Sequence, residues 1–437
     1  MNASATRPYR VEEHFGAPVY VEERTLPELT ERESQINDEG VPAGKRLRAG
    51  AARVDVTPEL SSNVKAIAGF LRCPPTGVHD RLHVRALVLD NGDERLAIVS
   101  WDRIHSRSFE EIANVRRAIN ERTGIAVENI LINMTHTHAG CEGDWHNGSV
   151  QAVAQACDNM KDARIGVGSK MIYGICTSRR MPDGRGLWDA NQPNPDGVMD
   201  NECGVIRVED DERNIIAVVA KYCGHPSVMD RNNSVVSGDY AGIGTLEMEK
   251  RLGGDAVAMF LQGCAGDTGT HTFRTGRTFP EAEKLGGRLA DAVLDILSHI
   301  DVTSWAPLAA KTRMIELPIK KFDKNVETLP VITEGGTTTK DEIQALIIGD
   351  AAILVLGSME AYVEIGLMVK DGSPFRHTFP LAYSNGPWLG YLPSPHGYAV
   401  RDPDAEGKRS THFSSEAPHV LVAETLKLAG EMKAGSG

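Results

Sequence analysis

A chain of 437 residues, 41% of them hydrophobic and with slightly negative mean hydropathy, can bury one large core or two to three ordinary ones. Its 60 acidic residues outnumber 47 basic ones, and the formal charge of −13 excludes generic nucleic-acid binding and adsorption to anionic membranes, because phosphates are repelled. No apolar signal region opens the sequence and no run of about eighteen apolar residues follows, so neither export nor membrane insertion is expected.

Residues 1–47 are rich in Glu, Arg, Pro and Thr with little periodicity, and read as an N-terminal arm that packs on the body or on a neighbouring subunit. The compact part is expected over 48–437 as a single large catalytic domain. Its β-type runs fall at Val84–Asp90, Leu96–Asp102, Ile130–Met134, Arg164–Cys176, Gly204–Val208, Ile215–Tyr222 and Ala256–Leu261. Helical stretches near 108–122, 237–253 and 279–299 alternate with them. The runs within 84–102 and 204–222 are joined directly by Asp-Asn-Gly-Asp and Asp-Asp-Glu-Arg-Asn turns, which predicts antiparallel pairs. The expected fold is therefore mixed α/β (α+β), a mixed sheet flanked by helices rather than a doubly wound parallel one. Residues 320–343 lack apolar rhythm and read as a linker or surface loop before a strand pair, Gln344–Ile348 and Ala352–Leu356; a last helix fits 415–432. There is no internal repeat, low-complexity tract or long heptad stretch.

Seven cysteines, at 73, 141, 157, 176, 203, 223 and 264, are odd in number and without Cys-x-x-Cys spacing. Neither a disulfide framework nor a thiolate zinc knuckle is implied, and a reducing cytoplasm fits best.

The chemistry concentrates where apolar runs stop. After Ile130–Met134 comes Thr135-His136-Thr137-His138, two imidazoles two positions apart. In extended backbone such residues share a face, so both rings can converge on one point at the sheet's rim. Hydrogen-bonded structural histidines have the same spacing, so other residues must decide. A second histidine ends the next such run, in Lys221-Tyr-Cys-Gly224-His225-Pro226. Pro226 lacks a backbone donor and holds His225 extended. A carboxylate follows the apolar strand and glycine of Val355-Leu-Gly357-Ser-Met-Glu360, and a tyrosine opens the proline-rich loop Gly390-Tyr391-Leu-Pro-Ser-Pro. Imidazole, carboxylate and phenolate are donors that Zn2+ accepts while leaving a position for water. The loop Gly263-Cys-Ala-Gly266-Asp267-Thr268-Gly269 can bring backbone N–H groups close to a ligand, but lacks the Lys-Ser/Thr ending of a nucleotide loop. Asp239 and Asp267 suit either orienting a histidine ligand or capping a helix.

Over residues 48–433 the chain resembles the neutral ceramidase family, zinc-dependent amidohydrolases that cleave N-acyl bonds. The resemblance rests on landmarks in order: Gly50-Ala-Ala-Arg-Val-Asp55-Val-Thr57-Pro58, Gly77-Val-His79-Asp-Arg81-Leu-His-Val-Arg85-Ala86, Thr135-His136-Thr137-His138, Gly224-His225-Pro226, Ser237-Gly-Asp239-Tyr-Ala-Gly242 and Gln262-Gly263-Cys-Ala-Gly266-Asp267. It implies that His136, His225, Glu360 and Tyr391 hold zinc and that His138 lies beside the metal. It also implies an active-site arginine at Arg180, with Arg179 as the alternative register. The chain departs from the family in three places. Asp267-Thr268-Gly269 stands where a serine is expected after the Gly-Asp turn, Asp404-Ala405-Glu406-Gly407 stands where an aromatic is expected, and no C-terminal β-sandwich follows the last helix.

The resemblance and its departures imply a metal-activated water attacking the carbonyl of a small polar amide, ester or lactone rather than a two-chain lipid. A metal-dependent lyase or isomerase on a carbohydrate, and an inactive scaffold of the same fold, are the alternatives. The acidic surface and the arm are compatible with a homo-oligomer.

Overall fold

The computed structural model describes residues 9–14, 17–22, 41–42, 44–66, 70–180, 194, 196–230, 232–320, 337–402, 405 and 411–435. The core of the expected linker, 321–336, and Asp404, Glu406 and Gly407 lie outside the described residues.

The architecture is mixed α/β. Its main sheet has eight strands in the order Val257–Gln262, Ile215–Tyr222, Glu202–Asp210, Lys161–Met171, Leu47–Asp55, His83–Asp90, Arg95–Trp101, Ile130–Met134. The interior pairs are antiparallel, as the tight turns predict. Both edge pairs are parallel. A parallel pair needs a crossover, and the helices Phe109–Thr123 and Asp239–Leu252 supply one at each edge. Ser108 starts the first of these by accepting the Glu111 N–H, and Gly124, at φ 76°, ends it in the left-handed conformation that glycine tolerates. Strand residues of Ile130–Met134 and Val257–Gln262 are buried throughout, so apart from Asn133 and Gln262 these runs are apolar rather than alternating.

The amphipathic helix Phe279–Ser298 buries Leu285, Leu289, Val293 and Ile296 and packs on Asp239–Leu252. Gly244 and Gly286 meet at that crossing, where a Cβ on Gly286 would come 3.0 Å from the Gly244 nitrogen. A second sheet, in the order Leu308–Pro318, Thr338–Ile348, Ala351–Val355, His377–Leu381, is antiparallel except for its last pair, which the helix Val363–Gly372 connects. The short strands Tyr9–His14 and Ala17–Glu22 form an antiparallel hairpin within the N-terminal segment.

Several elements lack a clear sequence signal. The helix Trp145–Asp158 carries a glycine and many polar residues, which masks its period, Leu308–Pro318 is a largely half-buried strand with scattered polar residues, and His377–Leu381 mixes polar residues into a buried one. The strand expected at 164–176 runs instead from Lys161 to Met171, and Thr338–Ile348 begins inside the stretch expected to be irregular.

Three strand ends are tied together by one buried side chain. The Asn133 amide donates to the carbonyls of Gln262 (3.3 Å) and Ala382 (2.9 Å) and to Ser384 Oγ (2.9 Å), while its oxygen accepts the Gln262 N–H at 2.8 Å. The loops leaving Ile130–Met134, Val257–Gln262 and His377–Leu381 therefore start from one place.

Candidate metal centre

His136 does not continue its strand. Its N–H donates to the Arg103 carbonyl at 2.9 Å, and its φ of 66° is left-handed. The face-sharing expected of an extended His-x-His segment is thus replaced by a tight turn, which still brings the His136 and His138 ring centroids to 5.3 Å. The His225 loop joins them through the His138 N–H, which donates to the Pro226 carbonyl at 3.2 Å. Gly224, just before His225, has no room for a side chain: a Cβ would strike the Tyr240 hydroxyl, which instead donates to the Gly224 carbonyl at 2.6 Å.

The hydrogen bonds determine which ring nitrogen carries the proton. A carbonyl only accepts, so His136 Nδ1–H donates to the Ile104 carbonyl (2.8 Å) and His225 Nδ1–H to the Ala265 carbonyl (3.0 Å). His138 Nδ1 faces Asp230 Oδ1 at 3.3 Å. All three Nε2 lone pairs then face inward. His138 Nε2 lies 3.0 Å from His225 Nε2, and His136 Nε2 is buried with no hydrogen-bond partner. Among the described residues these histidines form a group whose ligand atoms lie within 4.8 Å of one another. Two nitrogens each about 2.0–2.1 Å from a tetrahedral ion sit roughly 3.3 Å apart, close to this spacing. Nδ1–H bonded to an oxygen with Nε2 free is also how ligating histidines are held. The donor set fits a divalent ion of the zinc type.

Glu360 completes one side. Its Oε2 is 3.5 Å from His136 Nε2 and accepts the Tyr383 hydroxyl at 3.4 Å, and its Oε1 accepts the Trp388 indole N–H at 2.8 Å. Burial pushes this carboxyl up, but the adjoining His136 imidazole, Arg179 and His138 hold it at about 2. His225 is driven well below its usual value by burial, then by Arg179 and the two other imidazoles, so its lone pair stays available. Burial also lowers His138, against the opposing hydrogen bond that it donates to Asp230.

Tyr391 sits opposite Glu360 in a short parallel bridge, which puts both side chains on one face. Its hydroxyl accepts from Arg179 Nη2 at 3.2 Å, and the Arg179 guanidinium lies over its ring. Arg179, not Arg180, therefore reaches the centre. Neighbours on extended backbone point to opposite sides, and Arg180 turns to Asp402 (3.5 Å) and the Tyr362 ring.

Asp239 accepts the N–H groups of Met229 and Tyr240, pinning the loop after His225 at the start of its helix. Asp267 accepts the Val363 N–H at 2.8 Å and so caps the helix that follows Glu360. Neither carboxylate has a hydrogen bond to an imidazole. Gly266 lies against the Glu360 backbone, where a Cβ would collide with the Glu360 carbonyl oxygen, and its own carbonyl accepts from Arg179 at 2.6 Å.

Sequence reasoning does not find Asp230, Tyr383, Trp388 or Phe70, the last stacked on His138 at 4.1 Å. The Tyr383-Ser-Asn-Gly-Pro-Trp388 run carries only a turn signal, consistent with the left-handed Tyr383 and Asn385.

No protein-family model matches the chain. Neutral ceramidase B of Dictyostelium discoideum is 25% identical over 235 residues, 45% of this chain and 32% of its own length. A neutral ceramidase of Mycobacterium tuberculosis is 24% identical over 273 residues, covering 54% and 42%. The alignments thus span between about a third and two fifths of these relatives. The crystal structure of neutral ceramidase from Pseudomonas aeruginosa superposes with a TM-score of 0.74 at 19% identity, covering 89% of this chain and 75% of that one. A ceramidase complexed with C2 gives 0.73 at 17% identity. The chain has the neutral ceramidase fold and is neutral ceramidase-like in sequence.

Proposed function

We propose that this chain is a zinc-dependent hydrolase of N-acyl amide bonds, with His136, His225, Glu360 and Tyr391 as the metal-binding set and His138 beside it. The observation that carries this reading is the convergence of three Nε2 lone pairs, one of them buried without a partner, next to an ionised Glu360. Similarity to neutral ceramidases supports the amide as the bond attacked. A bound zinc would supply acidified water and a Lewis acid for the carbonyl oxygen.

The chain's own groups suit the remaining tasks. His138, its Nδ1 held by Asp230 and its Nε2 facing inward, is suited to take a proton from attacking water and return it to the departing amine. The Arg179 guanidinium and the Tyr391 hydroxyl lie together where developing negative charge on the carbonyl oxygen can be met by fixed donors. Phe70 covers one face of His138 and keeps bulk water from it. The products are a carboxylic acid and an amine, and the sequence departures at Asp267-Thr268-Gly269 and Asp404-Ala405-Glu406-Gly407 favour a small polar substrate over a two-chain lipid.

Metal analysis of the purified protein, followed by hydrolysis of N-acyl amides in 18O-labelled water, tests the reading. About one equivalent of zinc and one labelled oxygen in the released acid are expected. A zinc-loaded protein that transfers no label with any N-acyl amide, ester or lactone excludes it. The variant His138→Ala is expected to lose turnover while keeping its zinc, and loss of the ion would make His138 a ligand instead.

A further inference from the structure

We infer that Trp388 is a positioning residue for the metal-binding set: its indole N–H holds one oxygen of Glu360 so that the other alone is presented to the imidazoles, and His105 holds the indole. This inference rests on the metal centre proposed above and adds the residues that aim its carboxylate.

The two oxygens of Glu360 are not equivalent. Oε2 lies 3.5 Å from His136 Nε2, which has no hydrogen-bond partner, and accepts the Tyr383 hydroxyl at 3.4 Å. Oε1 accepts the Trp388 Nε1–H at 2.8 Å. An indole nitrogen only donates, and a hydrogen bond to an ionised acceptor is of the stronger kind, so Trp388 fixes which oxygen is engaged elsewhere. A carboxylate held in this way offers an ion its other oxygen. That leaves a coordination position for water, which a grip by both oxygens would take.

Trp388 is itself held by its neighbours. Its ring stacks on His105, with 20° between the planes and 6.3 Å between centroids, and meets the Tyr391 ring edge-on at 6.3 Å. Two residues earlier the chain has no room for a side chain: a Cβ at Gly386 would lie 2.5 Å from Phe109 Cε1 and 3.0 Å from Ser358 Cβ. Pro387 pairs with Ser106 in a parallel bridge, which ties the Trp388 loop to the His105 loop through the backbone. The His105 ring is fixed in turn, since its Nδ1–H donates to the Ser106 carbonyl at 2.8 Å.

The same loop aims His136. The Arg103 carbonyl accepts the His136 N–H at 2.9 Å, and the Ile104 carbonyl accepts its Nδ1–H at 2.8 Å. The fully buried Arg103 side chain anchors the loop, packed against the Trp101 and Trp145 rings and donating to Glu111 at 2.7 Å. Residues 103–106 therefore orient two members of the metal-binding set, His136 directly and Glu360 through the indole.

Zinc affinity, measured per folded molecule by competition with a chromophoric chelator, tests this without using turnover. Trp388→Phe keeps a ring beside His105 but has no N–H, and should bind zinc about 10–100-fold more weakly, the loss typical when an outer partner of a ligand is removed. Loaded with cobalt, the same variant should show weaker visible d–d absorption than the wild type, because a carboxylate free to use both oxygens raises the coordination number. His105→Ala should weaken zinc binding about two- to tenfold, as loss of an aromatic contact does, and should have no further effect in the Trp388→Phe background. Trp305→Phe, which removes an indole N–H donated to the Asn91 carbonyl, should bind zinc like the wild type. Unchanged affinity and an unchanged cobalt spectrum in Trp388→Phe overturn the role of Trp388 while the centre stands. Losses that add in the double variant overturn the action of His105 through the indole. A wild-type protein that takes up neither zinc nor cobalt removes the centre, and this inference with it.

Discussion

Two clusters of buried ionisable groups lie at the two ends of the helix Val363–Gly372, and their charges balance in opposite ways. At its C-terminal end Lys370 Nζ is 2.6 Å from both Asp200 carboxylate oxygens and 2.7 Å from Glu202, while Lys221 meets Asp200 at 2.7 Å. Two ammonium and two carboxylate groups cancel, and every charge has a partner. Burial would raise the Asp200 carboxyl, but Lys221 and then Lys370 hold it well below the usual range. Just before the helix starts, Glu360 meets three imidazoles that turn lone pairs towards one another, and one of those lone pairs has no donor at all. Asp200, Lys221 and Lys370 are as deeply buried as the three imidazoles, and Glu202 is half-buried. A saturated network supports structure, whereas a surplus of acceptors suits the holding of a cation.

This contrast can be broken at either cluster. The largest effect is expected from His225→Ala or His136→Ala, which should remove bound zinc and lower kcat/KM by at least about a thousandfold, the several kcal/mol that a metal contributes. Elemental analysis with steady-state kinetics reads this. Full zinc and full turnover in His225→Ala would dissolve the centre as drawn.

Lys370→Met leaves Asp200 and Glu202 buried with one cation fewer. It should cost about 3–5 kcal/mol in denaturant unfolding, with zinc per folded molecule unchanged. Zinc loss without loss of stability would mean that the two clusters are not distinct in kind.

Asp230→Asn retains the shape but removes the charge facing His138 Nδ1 and Arg277. A loss of roughly 10–100-fold in turnover is expected, with the protein folded and the pH profile altered. An unchanged profile would leave Asp230 as a tether for Arg277 alone.

The smallest effect concerns Glu364, whose Oε1 is buried without a partner and whose Oε2 accepts from Ser394. Burial, together with the nearby Asp267 charge and against the Ser394 bond, raises its carboxyl from 4.5 to about 8. As pH rises, the unfolded chain releases this proton first. The stability that comes with the bound proton is thus complete below the unfolded value near 4.5 and is lost on the way to about 8. Glu364→Gln should raise the melting temperature by about 2–4 °C at pH 8 and by little at pH 4.5. A gain of equal size at both pH values would remove protonation as its cause.

The sequence by itself determined where strands stop and which residue types stand there. Ile130–Met134 and Ile215–Tyr222 are readable because continuous apolar runs are local, and the histidines that follow each run are visible as departures from it. Antiparallel turns within 84–102 and 204–222, and the amphipathic period of Phe279–Ser298, are local for the same reason. Only the tertiary structure decided that Arg179 reaches Tyr391 while Arg180 turns away, that His136 adopts a left-handed turn, and that Asp230, Tyr383 and Trp388 join the centre. Those facts depend on where loops separated by more than a hundred residues are brought by the edge strands and by the Asn133 amide that ties their ends. Lone pairs converge through long-range packing, and no window of neighbouring residues contains that information.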